Sequence, residues 1–389
     1  LVPRYIFNRR AAISVLKVSP SSGASVKSNV LPAALNLSTS PLLQDQALDS
    51  LLSLFKELVD SNAVDFNELR TSLEGRLSDQ DGKDGPHGKQ TIGNLGKSIA
   101  TITAATSASD RDVVVKDILS TLESKKKMET QQVQLALLTS GDLGRLVDLS
   151  KMEGVAPRLQ TIYLSSFDSS SEDVKHAAAY ALGRASVGAM GTFLPAILEA
   201  LEQNNEKKQY LLLSALRELI HCHKLGGSGD IGPSVPLILP HLFTHSTDKE
   251  EGVRTMAAEC LGSLTCLQPA VILPQLKDLV EKHSGKKVAE DASVRAISTV
   301  LAPRMSACRR AAAPCVPKHD LQARALVSTL NLTPSRRAGA VRVSGDGARV
   351  PGHKLWRRAR RPARHRALRQ GQRDSRLIPS HPRIISPYF

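Results

Sequence analysis

The sequence predicts an all-α fold, a solenoid of stacked helix pairs, from three observations: an internal repeat near forty residues, a composition rich in small and unbranched side chains, and apolar residues at helical spacing. The repeat is clearest in Asp173-Val-Lys-His-Ala-Ala-Ala-Tyr-Ala-Leu-Gly183, which returns 79 residues later as Gly252-Val-Arg-Thr-Met-Ala-Ala-Glu-Cys-Leu-Gly262. Val174 falls on Val253, Lys175 on Arg254, Ala178-Ala179 on Ala257-Ala258 and Leu182-Gly183 on Leu261-Gly262. Gly141 falls under Gly183 at a step of 42, Leu95-Gly96 fits 45 residues before that, and Ala215-Leu216 falls under Ala181-Leu182. A last copy opens at Ser293-Val-Arg295 and then fails.

Only 3% of residues are aromatic while Leu and Ala abound, which suits helix stacking and argues against a sandwich or barrel. Val174, Ala178, Ala181 and Leu182 share one helix face, and Ala177-Ala178-Ala179 lets a neighbouring helix come close. A lone helix pair leaves that face in water. Stacking removes it, at roughly 1.5–3 kcal/mol per large aliphatic side chain, so several repeats are needed before the array is stable. Two helices per unit of about forty residues is the HEAT or armadillo signature. Residues 1–302 are therefore read as one HEAT/armadillo-like α-α superhelix of about seven helix pairs.

Taken in order, Val30 to Leu37 reads as a second helix with Pro32 in its first turn. Ser40 to Val59 reads as an amphipathic helix with Leu43, Ala47, Leu51, Leu54, Phe55 and Leu58 on one face, Ser40 as cap and Pro41 as first-turn residue. Phe66 to Leu77 is its partner, and Gln80 to Gly88, with three Gly and one Pro, reads as a loop. Gln90 to Thr106 and Arg111 to Glu123 form the next pair, followed by a basic turn at Lys125-Lys-Lys127. Helices are then expected at 131–143, 155–167, 173–186, 193–202, 207–222, 235–245, 249–264 and 271–283. First helices follow Ser, Asp or Lys, and second helices follow proline, as in Leu194-Pro195, Ile231-Gly-Pro233 and Leu273-Pro274.

From Pro303 the composition changes. Residues 303–389 hold nine of the 21 prolines and 20 Lys plus Arg against 3 Asp and no Glu, whereas residues 1–302 hold 32 basic and 34 acidic residues. The whole-chain charge of +15 thus belongs to the tail, and the repeat body is close to neutral. An Arg- and Pro-rich, Glu-free run resembles GC-rich DNA read out of frame or through an intron, so the tail is expected to be a gene-model artefact. If it is made in the cell, it is a disordered basic extension. Because the repeats stop inside a unit at Pro303, an exposed apolar face is expected around Val294, Ile297 and Val300. The first residue is Leu1, so the chain is expected to be a fragment of a longer protein. No run reaches about 18 apolar residues and no basic-then-apolar leader opens the chain, which argues against a membrane span or a secretory signal. The five cysteines, Cys222, Cys260, Cys266, Cys308 and Cys315, are odd in number and read as reduced intracellular thiols.

The residues that invite chemistry fail on spacing. Gly93-Asn-Leu-Gly-Lys-Ser98 suggests a phosphate-binding loop, but that motif requires glycine where Thr91 stands and a preceding strand. His221-Cys-His223 lacks further ligands at zinc spacing, and Cys260 and Cys266 have five residues between them where a zinc pair has two to four. No Gly-x-Ser-x-Gly elbow or His-Glu-x-x-His occurs. No catalytic, metal or cofactor residue is nominated, and no partner-binding residue either. Trp356-Arg-Arg-Ala-Arg-Arg361, with Arg364, Arg366 and Arg369, would attract phosphate backbones without base stacking if the tail exists.

Over residues 30–302 the chain resembles the cullin-associated, neddylation-dissociated (CAND) proteins. The resemblance is carried by Ser40-Pro-Leu-Leu-Gln44 with Ala47-Leu48, Lys89-Gln90 with Ser98-Ile-Ala100, Ala136-Leu-Leu138 with Asp148-Leu-Ser150, Ser171 to Gly183 with Ser186-Val-Gly188, Lys208-Gln-Tyr-Leu-Leu-Leu213, and Ala258-Glu-Cys-Leu-Gly262. The stretch is similar to the middle-to-late part of that superhelix. The resemblance implies a non-catalytic scaffold that binds an unmodified cullin with its RING subunit, blocks the neddylation lysine, and regulates ubiquitin-ligase assembly by substrate-receptor exchange. The family continues in further repeats after Val300-Leu-Ala302, whereas this chain enters its Arg-rich tail, which puts displacement of the adaptor in doubt. Cytoplasmic and nuclear placement is expected, with no small-molecule substrate, no cofactor, no membrane, and nucleic acid only through the tail. The alternatives are a HEAT scaffold of nuclear transport or a phosphatase, and a nucleic-acid-associated protein acting through residues 303–389.

Overall fold

Small residues on one helix face and larger aliphatics on the other produce two rows of helices. The computed structural model describes residues 26–77, 86–124, 129–203, 205–224 and 230–283, and every regular element among them is helical. The chain divides into two compact units, Leu1–Ser335 and Arg336–Phe389, and all described residues lie in the first. The tail, the boundary at 302/303, the expected apolar face at Val294, Ile297 and Val300, Lys125-Lys-Lys127, Cys308 and Cys315 lie outside the described residues.

A π turn at Val26–Val30 leads into α1 (Leu31–Ser38), which has proline in its first turn as expected. There follow α2 (Asp45–Asp60), α3 (Phe66–Gly75), α4 (Pro86–Ala105), α5 (Ala108–Glu123), α6 (Thr130–Leu146), α7 (Val155–Ser166) and α8 (Glu172–Gly188). The array continues through α9 (Met190–Glu202), α10 (Glu206–Lys224), α11 (Val235–His245), α12 (Glu251–Leu267) and α13 (Pro269–His283). The even-numbered helices α2 to α12 pack on one another in sequence, and α3, α5, α7, α9, α11 and α13 form a second, sparser row over them. This is the HEAT solenoid that the repeat predicts.

Three local expectations change. Ser40 and Pro41 do not start a helix: residues 39–44 form a turn, and α2 begins at Asp45. The cause is tertiary, because Asn94 Nδ2 of α4 donates to Leu43 O at 3.2 Å and Thr91 Oγ1 to Thr39 O at 3.1 Å, holding carbonyls of that turn, while Leu43 is buried beside it. Pro86 to Gly88, read as loop, opens α4. Pro195 and Pro274 stand inside α9 and α13 and do not precede them, whereas Pro233 precedes α11 as expected, in a 3-10 turn at Gly232–Ser234. Both are exposed, and so are Gly191 and Ala270, whose carbonyls they leave without an amide partner.

Close approach within the first row depends on glycine. A Cβ added at Gly141 of α6 would lie 2.4 Å from Ala181 Cα of α8, and one at Gly183 of α8 would lie 2.3 Å from Ala215 O of α10. These are the positions that the sequence repeat superimposes. Two helices of the second row start at a side-chain cap, α3 at Asp65 and α5 at Ser107. Ser107 Oγ accepts from Asp110 N at 3.1 Å and starts α5. Ser107→Ala is expected to cost about 1 kcal/mol, read as a lowered urea midpoint, because that amide loses its acceptor.

Candidate interaction surface

On α8 the buried face carries Val174, Ala178, Ala181 and Leu182, which leaves His176 exposed and Tyr180 half-buried on the opposite side, four residues apart. The same reasoning on α10 buries Leu211, Leu212 and Leu213 and turns Tyr210 outward, 38% exposed. The two meet: the His176 ring stands edge to face with Tyr210, centroids 6.3 Å apart. The Tyr210 ring continues over Gly252 of α12, where an added Cβ would sit 3.6 Å from its Cδ2. His176 and Tyr210, in the second turns of α8 and α10, therefore form one exposed aromatic strip that reaches Gly252 in the first turn of α12. Its flanks are charged and paired, Lys175 with Glu172 at 2.8 Å and Lys208 with Asp168 at 2.7 Å.

Farther along α8, beside Tyr180, lies a buried polar cluster that locks the register. Arg184 of α8 donates from Nε (2.9 Å) and one terminal nitrogen (2.5 Å) to Asp142 Oδ1 of α6, and from the other to Cys222 Sγ of α10 at 3.1 Å. Its guanidinium lies 5.0 Å from the centre of the Tyr180 ring. The side chains of Arg184 and Asp142 are 10% and 3% exposed. Burial alone would lower the affinity of Arg184 for its proton, but the carboxylate of Asp142 beside it more than offsets this and holds the group charged. Burial first and Asp142 second push the Tyr180 phenol well above its ordinary range, so it is neutral. Burial likewise raises the Cys222 thiol, against the pull of Arg184.

The motifs weighed in the sequence do not converge on one another. Gly93 to Ser98 lie in the middle of α4, where Ser98 is fully buried and donates to Asn94 O at 2.8 Å, and Gly96 packs against Leu138. At the end of α10, His221 is exposed, Cys222 faces Arg184, and the buried His223 places Nδ1 2.9 Å from Leu219 O. Cys260 Sγ points to Leu213 O at 3.6 Å, a packing contact between α12 and α10. Among the described residues there is no group of three or more His, Cys, Asp or Glu that could hold a metal ion, and no helix long and apolar enough to cross a membrane. The aromatic strip was not nominated from the sequence, although the i, i+4 spacing of His176 and Tyr180 opposite the alanine face was a signal for half of it.

The comparisons with known proteins agree with this architecture. The HEAT repeat family model matches residues 238–265, from within α11 through most of α12. The chain is 36% identical over 259 residues to cullin-associated NEDD8-dissociated protein 1 of Arabidopsis thaliana, covering 67% of this chain and 21% of that protein. It is 35% identical to the proteins of that name in Dictyostelium discoideum, over 67% of this chain and 20% of the relative, and Drosophila melanogaster, over 70% and 22%. The chain thus spans about a fifth of the length of the relatives it matches.

Proposed function

Because the chain belongs to the family of cullin-associated NEDD8-dissociated proteins, we propose that it is a non-catalytic HEAT scaffold segment that binds an unmodified cullin with its RING subunit and takes part in substrate-receptor exchange on ubiquitin ligases. It works in the cytoplasm and nucleus, where those ligases act. The observation that supports binding through this stretch is the strip of His176 and Tyr210 along consecutive helix starts. Tyrosine is among the side chains enriched at interface hot spots, and a strip shared by α8, α10 and α12 can be met by one partner surface without rearranging the stack. The charged pairs beside it lie at its rim, where they contribute more to orientation than to affinity.

Retention of the full chain on immobilised cullin–RING complex tests this reading. Unmodified complex is expected to retain it and NEDD8-conjugated complex to release it, with Tyr210→Ala weakening retention about 10-fold or more. Equal retention by both forms, or by neither, overturns the proposal. Retention untouched by Tyr210→Ala moves the interface away from the strip.

A further inference from the structure

Each helix of the second row keeps one face exposed, and on α3, α5 and α7 that face carries charge, as at Glu68, Lys116 and Arg158. From α9 onward its character changes. Residues 190–198, 231–240 and 269–276, which span the starts of α9, α11 and α13, contain no charged residue in a chain that is 23% charged. Exposed there are Pro195 of α9, Pro236, Leu237 and Pro240 of α11, and Val271 and Pro274 of α13, with Leu237 58% and Val271 43% exposed. The three starts adjoin one another. Ser234 Oγ before α11 donates to Met190 Sδ of α9 at 2.9 Å, and Gln268 Nε2 before α13 donates to Asp230 Oδ1 before α11 at 3.5 Å. The exposed apolar residues therefore form one patch across three helices, the kind of surface that marks a protein contact.

The polar groups of the patch are all acceptors. Pro195, Pro240 and Pro274 each stand sixth in their helix and lack the N–H that would bind the carbonyl four residues back, so the exposed Gly191, Pro236 and Ala270 offer theirs to a donor from outside. The charge around the patch is of one sign. Residues 190–202, 230–245 and 269–276 hold Glu199, Glu202 and Asp230, all exposed, and no Lys or Arg. Glu199 lies one turn beyond Pro195 on the same face, in the last turn of α9, where the helix dipole also favours a cation.

We propose that the starts of α9, α11 and α13 form a docking face for a basic amphipathic segment of a partner protein. Its aliphatic or aromatic side chains cover Leu237, Val271 and the prolines, its Arg or Lys side chains meet Glu199, Glu202 and Asp230, and its N–H donors reach the three carbonyls. An acidic segment is rejected, because it would set like charges together and acceptors against acceptors. The face belongs to the second row of helices, whereas His176 and Tyr210 stand on the first.

The probe is a fluorescein-labelled synthetic helix of about 18 residues with Leu and Trp on one face and Arg on the other, and a second peptide carries Gln in place of every Arg. Anisotropy titration against the full chain is expected to give the Arg peptide a Kd about 10-fold or more below that of the Gln peptide. Leu237→Lys combined with Val271→Lys is expected to weaken the Arg peptide about 10-fold or more, and Glu199→Lys about 3-fold, while Val113→Lys, at a 52% exposed position on α5, leaves it unchanged. Pro240→Ala gives the carbonyl of Pro236 its amide partner back and is expected to weaken binding about 3-fold. Equal affinity for the two peptides, no loss in the double variant, or the same loss in Val113→Lys overturns the proposal. So does a concentration-dependent dimer in sedimentation that the double variant abolishes, since a second copy would then cover the face. The comparison of the two peptides on the unsubstituted chain stands even if a variant folds poorly.

Discussion

Arg184→Met is expected to lower the stability of the solenoid by about 3–5 kcal/mol, because it leaves the carboxylate of Asp142 buried without its cation. The same substitution removes the donor to Cys222 Sγ and the cation over Tyr180, so α6, α8 and α10 all lose a tie at one point. Urea unfolding followed by helical circular dichroism measures it, with a large drop in midpoint. In a stacked array the weakened junction separates the repeats on either side, so the transition is also expected to broaden. Arg184→Lys should be intermediate, since one ammonium cannot reproduce the two donors that Arg184 sends to Asp142 together with its stacking on the ring. Arg184→Met combined with Asp142→Leu is the decisive comparison. It removes both charges and is expected to recover most of the loss. A single substitution costing under about 1 kcal/mol would show that water reaches the carboxylate and that the cluster does not lock the register.

Gly183→Val is expected to be nearly as damaging, by about 3 kcal/mol, for a steric reason and not an electrostatic one. Any Cβ at this position meets Ala215 O at 2.3 Å and Glu218 Cβ at 2.8 Å, and the first of these is backbone that moves only with α10. The melting temperature should fall steeply, and Gly183→Ala should show a smaller version of the same loss. Gly93→Ala has the opposite expected sign. It is also a helix-interior glycine, but nothing lies within 4 Å of an added Cβ, so alanine should stabilise α4 by about 0.5–1 kcal/mol. If both alanine variants move stability in the same direction, close helix approach at Gly183 is not what limits the stack.

These two sites differ in how far they could be read from the chain alone. Gly183 is one of the residues that define the repeat, since Gly141 and Gly262 fall on it, and a small residue recurring on a helix face already implies a neighbour pressed against it. Arg184 follows it directly and Asp142 stands at the equivalent place one unit earlier, yet nothing local says that the two meet. Their pairing depends on the offset between α6 and α8, which the packing of Gly141 on Ala181 sets. The aromatic strip divides the same way. Helical spacing opposite the buried alanines turns His176 outward, but its edge-to-face contact with Tyr210 needs the register of α8 on α10.

By itself the sequence determined the class of fold, the extent of most helices and the stacking of one helix row, because apolar periodicity, small-residue spacing and the forty-residue repeat are local properties of a chain that must bury one face of each helix. It also carried the residues by which the family is recognised. Only the tertiary structure decided that Ser40 and Pro41 form a turn held by Asn94 and Thr91, that Asp142 and Arg184 pair under the surface, and that His176 meets Tyr210. Each of those depends on the offset and distance between helices far apart in sequence. An array of similar units can satisfy its periodicity at several such offsets, and side-chain volumes and buried hydrogen bonds select one of them.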